Sequence, residues 1–217
     1  MSWLDMFQDE EKKESGTVEG VAIAIVTNNK DPQNWGRVKL KYPWREDQQE
    51  SEWVRVAALA AGKDRGSLWV PEVKDEVLVA FEKGNVNHPF VLGALWNGQD
   101  KPPAKNDDGK NNTKLIKTRS GHELRFFDKD QEEFVEVKTQ GGHTLRLDDK
   151  AGSAQVQIKD SSGNNKITIQ TVGDSIEIES GLTLKIKSQT ISIEAGASMT
   201  LKASGTLTIQ GALVKIN

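Results

Sequence analysis

Pairs of apolar residues at positions i and i+2, repeated at a short and nearly constant step, run through the C-terminal part of this 217-residue chain. Ile176/Ile178, Leu184/Ile186, Ile191/Ile193, Met199/Leu201, Leu207/Ile209 and Val214/Ile216 advance by 8, 7, 8, 8 and 7 residues when second members are subtracted. That rhythm fits a stack of short strands, each showing two apolar side chains on one face and Thr, Lys, Glu, Ser or Gln on the other. One thin seam is not a core. Burying one such pair contributes only a few kcal/mol at about 25 cal/mol per Å², whereas ordering roughly eight backbones costs about 1–2 kcal/mol each. The segment is therefore expected to fold only when sister chains close around it. Three copies wound on a common axis would set each seam against two others and give every strand edge an intermolecular neighbour. The expected trimer core is Ile176, Ile178, Leu184, Ile186, Ile191, Ile193, Met199, Leu201, Leu207 and Ile209. A single-chain β-solenoid is the structural rival, but it needs coils of about 20 residues or more, and the final octads are too short for that.

Upstream the period is longer. Gly121, Gly142 and Gly163 lie 21 residues apart, and the phrase Gly121-His122-Glu123-Leu124-Arg125-Phe126 returns as Gly142-His143-Thr144-Leu145-Arg146-Leu147. Composition changes sharply ahead of this region, since all six prolines, all six tryptophans and the single tyrosine, Tyr42, precede residue 104. The polar, turn-forming stretch after Pro102-Pro103 reads as a connection between two folded units. The expected division is a docking segment at 1–18, a β-barrel at 19–101, a linker at 102–113 and a shaft at 114–217. In the first of these, Trp3, Leu4, Met6 and Phe7 form a small apolar cluster that would seat on a neighbouring subunit; a frayed chain end is the plainer reading.

Between Gly20 and Gly98 short strands alternate with turns. Arg37 to Tyr42 has period two, which puts Val38, Leu40 and Tyr42 on one face and Arg37, Lys39 and Lys41 on the other. Trp53–Val56, Glu76–Phe81 and Phe90–Leu95 read as further strands, punctuated by Asn28-Asn29, Pro43, Gly62, Gly66, Pro71, Gly84 and Pro89. About five strands in roughly 80 residues suit a small closed barrel.

The ordered series Gly36-Arg37-Val38-Lys39-Leu40-Lys41-Tyr42-Pro43-Trp44, Trp53-Val54-Arg55-Val56, residues 66–81 and His88–Asn97 resembles the OB-fold of phage baseplate protein V and VgrG-type spikes of contractile injection systems. The C-terminal octads look like the spike shaft of the same family. Lys74 stands where that family commonly has Gly before Asp-Glu-Val, and residues 84–87 replace a more acidic Gly-Asp loop; both positions fall in turns. The resemblance implies an all-β fold: an OB-fold barrel followed by an intertwined trimeric β-helix or β-prism. It also implies a structural role as the central spike of a contractile tail or injection-system baseplate, piercing the target cell envelope. A separate hub protein would be met through Trp3, Phe7, Arg37 and Trp44, and a PAAR-like tip protein through Val214, Ile216 and Asn217. With only about 18 residues ahead of the barrel, the hub is expected on another polypeptide, and residues 104–113 leave no space for an inserted hydrolase. The particle would be a phage virion or injection device, its subunits made in the cytoplasm without a signal peptide.

With no cysteine, disulfides and thiolate metal sites are excluded, and a net charge of −3 gives no bulk attraction to nucleic acid or anionic membrane. His122 and His143 would form imidazole rings on a trimer axis, but beside glycine they read as turn residues, and no metal or other cofactor is expected. Asp148, Asp149 and Asp160 are candidate carboxylates for a polysaccharide-binding or hydrolysing solenoid, although acidic residues in β-turns are ordinarily turn formers, and no enzyme activity is expected. Arg37, Lys39, Lys41, Tyr42, Trp44 and Arg45 make a cluster of the kind that OB-folds use on single-stranded nucleic acid; half of it is predicted to point inward, so nucleic acid is not an expected partner.

Overall fold

The computed structural model describes Val18, residues 20–47 and residues 49–216. The chain forms two compact units, one ending at Asp107 and the other beginning at Asp108. Among the described residues the extended elements are all β-strands, with one short 3-10 turn at Glu82–Gly84. No helix there is long and apolar enough to cross a membrane.

The first unit contains β1 (Val21–Asn28), β2 (Lys39–Lys41), β3 (Arg55–Val56), β4 (Ala61–Gly62), β5 (Arg65–Gly66), β6 (Glu76–Phe81) and β7 (Pro89–Ala94). Five of these make one sheet in the order β2-β1-β6-β7-β3, antiparallel except for the β3–β7 pair. Its two edges meet, because Val38 and Val54 exchange backbone hydrogen bonds of 3.0 and 2.8 Å. The sheet thus curls into a small barrel whose inward residues are Ala24, Val26, Val38, Leu40, Tyr42, Val54, Val77, Val79, Phe81 and Val91.

The period-two reading of Arg37–Tyr42 holds: Val38, Leu40 and Tyr42 are buried. Glu76–Phe81 is a strand over its full predicted length. The strand expected at Phe90–Leu95 begins one residue earlier, and that expected at Trp53–Val56 is regular only at Arg55–Val56. Sequence reading left the longest strand, β1, unnamed.

The second unit is a meander of β8 (Thr113–Lys117), β9 (Glu123–Phe127), β10 (Phe134–Lys138), β11 (Thr144–Asp148), β12 (Gln155–Lys159), β13 (Lys166–Gln170) and β14 (Ser175–Glu179), each strand pairing antiparallel with the next. The 21-residue period is two strands and two turns. At the first two marker positions the turn is the same: Gly121 and Gly142 have φ of +93° and +92°, where a side chain would be strained. Thr118 Oγ1 and Thr139 Oγ1 accept the His122 and His143 amides, each at 3.1 Å. Beyond β14, the described residues 180–216 form no regular element and are exposed.

Candidate functional site

Register places apolar side chains of the second unit in two straight rows. Ile116, Leu124, Val137, Leu145, Ile158, Ile167 and Ile178 are successive pairing partners across all seven strands. Phe126, Val135, Leu147, Val156, Ile169 and Ile176 form the second row, which Lys114 completes on β8. Seven strands at about 4.8 Å make each row roughly 29 Å long. Among the described residues nothing covers this face; Ile158 is 51% exposed and Ile176 71%. Leu184 borders the same shallow groove as Ile167 and Ile178.

The opposite face is a lattice of charge. Glu123 meets Lys117 at 2.8 Å and Arg125 at 3.0 Å, and the Lys117 ammonium holds its carboxyl below the usual range. Arg146 bonds Asp148 at 2.9 Å, and its guanidinium lies 3.6 Å over the Phe134 ring, which stacks on Phe127. The Glu179 carboxylate, 2.8 Å from Lys166, raises that ammonium's affinity for its proton. Thr144 and Thr168 are buried on this face, and Gln157 Nε2 donates to Thr168 Oγ1 at 3.3 Å. The sheet therefore keeps its charged face in order by itself and leaves its apolar face dry-seeking and open.

In the barrel, the loop after β1 is organised by Asp31, which accepts from the amides of Gln33, Trp35 and Arg37 and from the Arg37 guanidinium at 2.8 and 2.9 Å. The guanidinium holds the carboxyl far below the usual range, and the three amides add to that. Arg37 also lies 4.7 Å over the Trp35 ring. Lys39 pairs with Glu50 at 2.9 Å, and Arg45 pairs with Asp47. Tyr42 is buried, its hydroxyl has no partner among the described residues, and burial pushes its pKa up to about 12. The turn before β6 is fixed by the Lys74 amide donating to the Val26 carbonyl at 2.8 Å, with Lys74 at φ +85°. A glycine would adopt that conformation freely.

This barrel, with its Gly36-to-Trp44 segment around β2 and its Asp75 turn into β6, matches the family model described as the type VI secretion system/phage-baseplate injector OB domain over residues 22–96. Over these residues the chain is similar to that domain. The chain is 33% identical over 94 residues to the type VI secretion system spike protein VgrG1a of Pseudomonas aeruginosa, an alignment covering 40% of this chain and 15% of that protein. It is 36% identical over 80 residues to VgrG2a of the same organism, covering 35% and 10%. With the spike protein VgrG3 of Vibrio cholerae the identity is 34% over 128 residues, covering 54% and 13%. The chain thus spans a small fraction of the relatives it matches. Its resemblance to VgrG-like baseplate spikes, read from the motif series, is borne out.

Within the barrel, Arg37 is committed to Asp31, and Trp44 is half exposed with its ring 5.5 Å from Tyr42. Of the expected trimer-core residues, Ile176 and Ile178 stand on the apolar rows. Leu184, Ile186, Ile191, Ile193, Met199, Leu201, Leu207 and Ile209 are exposed in the segment after β14. Val214 and Ile216 are exposed too; Trp3, Phe7 and Asn217 lie outside the described residues. The eleven row members ahead of Ile176 were missed as site residues, although their signal is the same. Leu124/Phe126, Val135/Val137, Leu145/Leu147, Val156/Ile158 and Ile167/Ile169 are i, i+2 pairs at a longer step, and Ile116 alone lacks a partner.

The rival chemistries find little support. Lys39 and Arg45, like Arg37, are held by carboxylates, and Tyr42 is buried, so three of the four cations in the barrel's basic cluster are internally paired. Asp148 is bound by Arg146. Asp160 is bound by Asn165 at 2.6 Å and by Ser162, which lowers its pKa and makes it a poor proton donor. The His122 Nδ1 accepts the Gln140 amide at 3.2 Å, stapling one turn to the next. Among the described residues no three His, Asp or Glu side chains gather as metal ligands.

Proposed function

We propose that this chain is the central spike subunit of a contractile injection baseplate, working as a homotrimer. Three copies of the injector OB domain form a collar on a separate hub. The second unit and its octads wind into a shaft that ends, at Val214, Ile216 and Asn217, on a PAAR-like tip protein. The work is mechanical, with no catalytic step: contraction supplies force, and the spike transmits it into the target envelope.

The observation that carries this reading is the pair of uncovered apolar rows. Thirteen large apolar side chains, most of them about half exposed, amount to on the order of 1,000 Å² of apolar surface. A soluble monomer rarely leaves so large a contiguous patch in water. Three such faces turned to a common axis remove it, and the exposed octads continue the same apolar pairing downstream.

Sedimentation of the full chain is expected to give three chain masses, and Ile193→Asp to give one. A folded, monodisperse wild-type monomer would overturn the spike reading. Release of peptidoglycan fragments by the purified protein would instead favour a hydrolytic solenoid.

A further inference from the structure

The barrel sheet is apolar on both sides. Ala22, Ala24, Val77, Val79 and Val91 point into the core, while Val21, Ile23, Leu78, Ala80 and Phe90 occupy the alternate, outward positions of β1, β6 and β7. Val21 and Ile23 are about half exposed, as is Leu92 at the register shift between β6 and β7. Strands that are apolar on both faces belong to sheets covered on both faces. Among the described residues its cover is partial: the Arg55 guanidinium lies 4.6 Å over the Phe90 ring, while Val21, Ile23 and Leu92 stay open.

The connection from β3 to β6 has the converse problem. Residues 57–69 carry Ala57, Ala58, Leu59, Ala60, Leu68 and Trp69, almost all exposed, with Leu59 at 96% and Leu68 at 81%. Its only regular structure is the two-pair ladder between β4 and β5, too small to be stable alone. The hairpin nevertheless has a defined shape. Gly66 sits at φ +141°, and a Cβ there would lie 2.3 Å from the Ala60 carbonyl oxygen. The charged residues Lys63, Asp64 and Arg65 are confined to its tip.

We propose that the hairpin of one copy lies across the outer β1-β6-β7 face of the next, so that each OB domain uses two different surfaces and the contact closes head to tail into a ring. This rests on the homotrimer reading above. Taking about 150–250 Å² for a fully exposed large side chain, the two surfaces together offer on the order of 1,000 Å² per contact, the floor for a specific interface. The occupant is a second copy because one domain carries both surfaces: the foot of the hairpin lines a groove with Leu92 of its own chain, yet among the described residues Leu59, Leu68 and Trp69 on the arm and Val21 and Ile23 on the sheet stay exposed.

The chain has no cysteine, so introduced thiols are unique. Leu59→Cys and Ile23→Cys chains, co-expressed and treated with a short bismaleimide, are expected to give a mixed covalent dimer that neither variant gives alone. In the wild-type trimer, hydroxyl-radical labelling of Leu59, Trp69 and Leu92 is expected to be lost relative to the Ile193→Asp monomer. A wild-type trimer lacking the mixed crosslink and labelled at those residues overturns the docking while leaving the spike reading intact. So does a crosslink formed within one doubly substituted chain, or protection that appears only when a hub protein is added. A wild-type monomer removes the homotrimer reading and this inference with it.

Discussion

Three residues of the barrel make separable predictions. Asp31 has its folded pKa pushed down, chiefly by Arg37, so the stability it contributes is present above the ordinary carboxylate range and is lost as pH falls from about 4 toward its folded value. Asp31→Asn should lower the thermal midpoint at pH 7 and flatten the acid limb of a stability–pH curve; an unchanged acid limb would contradict that role. Lys74, at φ +85°, occupies a conformation that costs an ordinary L-residue about 1–2 kcal/mol. Glycine's greater freedom in the unfolded chain offsets part of this. Lys74→Gly should therefore stabilise the barrel by about 1 kcal/mol, read as a higher urea midpoint at unchanged slope. Tyr42 keeps a buried hydroxyl without a partner, so Tyr42→Phe should be neutral or stabilising by about 1 kcal/mol. A clear loss of stability would mean that the hydroxyl is satisfied in the assembled protein. The departure at Lys74 was legible in the sequence because glycine is the residue expected there. The Tyr42 hydroxyl was not, since an alternating strand tells which side chain is inward but not whether its polar tip finds a partner.

At the scale of elements, legibility follows physics that is local in sequence. Period two located the β2 edge and β6, and turn residues bounded them, because side-chain alternation and turn chemistry act over a few residues. β1 escaped because Val21-Ala22-Ile23-Ala24-Ile25-Val26 is apolar on both faces and shows no alternation. The same cause hid the outer face of the barrel. In the second unit the glycine spacing disclosed the period, but pairing in register is a long-range property, and only the fold shows that Ile116 through Ile178 share one row. Turn packing is tight there: a Cβ on Gly142 would come within 3.1 Å of Ser161 Cβ at φ +92°. Gly142→Ala is therefore expected to destabilise by about 1–2 kcal/mol, and an unchanged melting curve would show that the turn relaxes without cost.

For the whole molecule, the proposed homotrimer makes the apolar rows and the octads parts of a chain whose stability resides in association. Its unfolding midpoint should rise with protein concentration, and refolding on dilution should be slow and incomplete compared with unfolding. A concentration-independent midpoint would argue that each chain is stable alone. The 21-residue period carries one more consequence. Because a period holds an even number of strands, removing His122–Gly142 leaves the direction of every later strand unchanged. It joins Gly121 to His143 in a turn of the same design and sets Ile116 opposite Leu145 in place of Leu124. Such a deletion should still assemble with the same number of subunits, its native mass reduced only by the missing residues. In the proposed spike, shaft length is then a modular quantity, adjustable by whole segments during evolution or engineering while the proposed fittings at either end stay as they are.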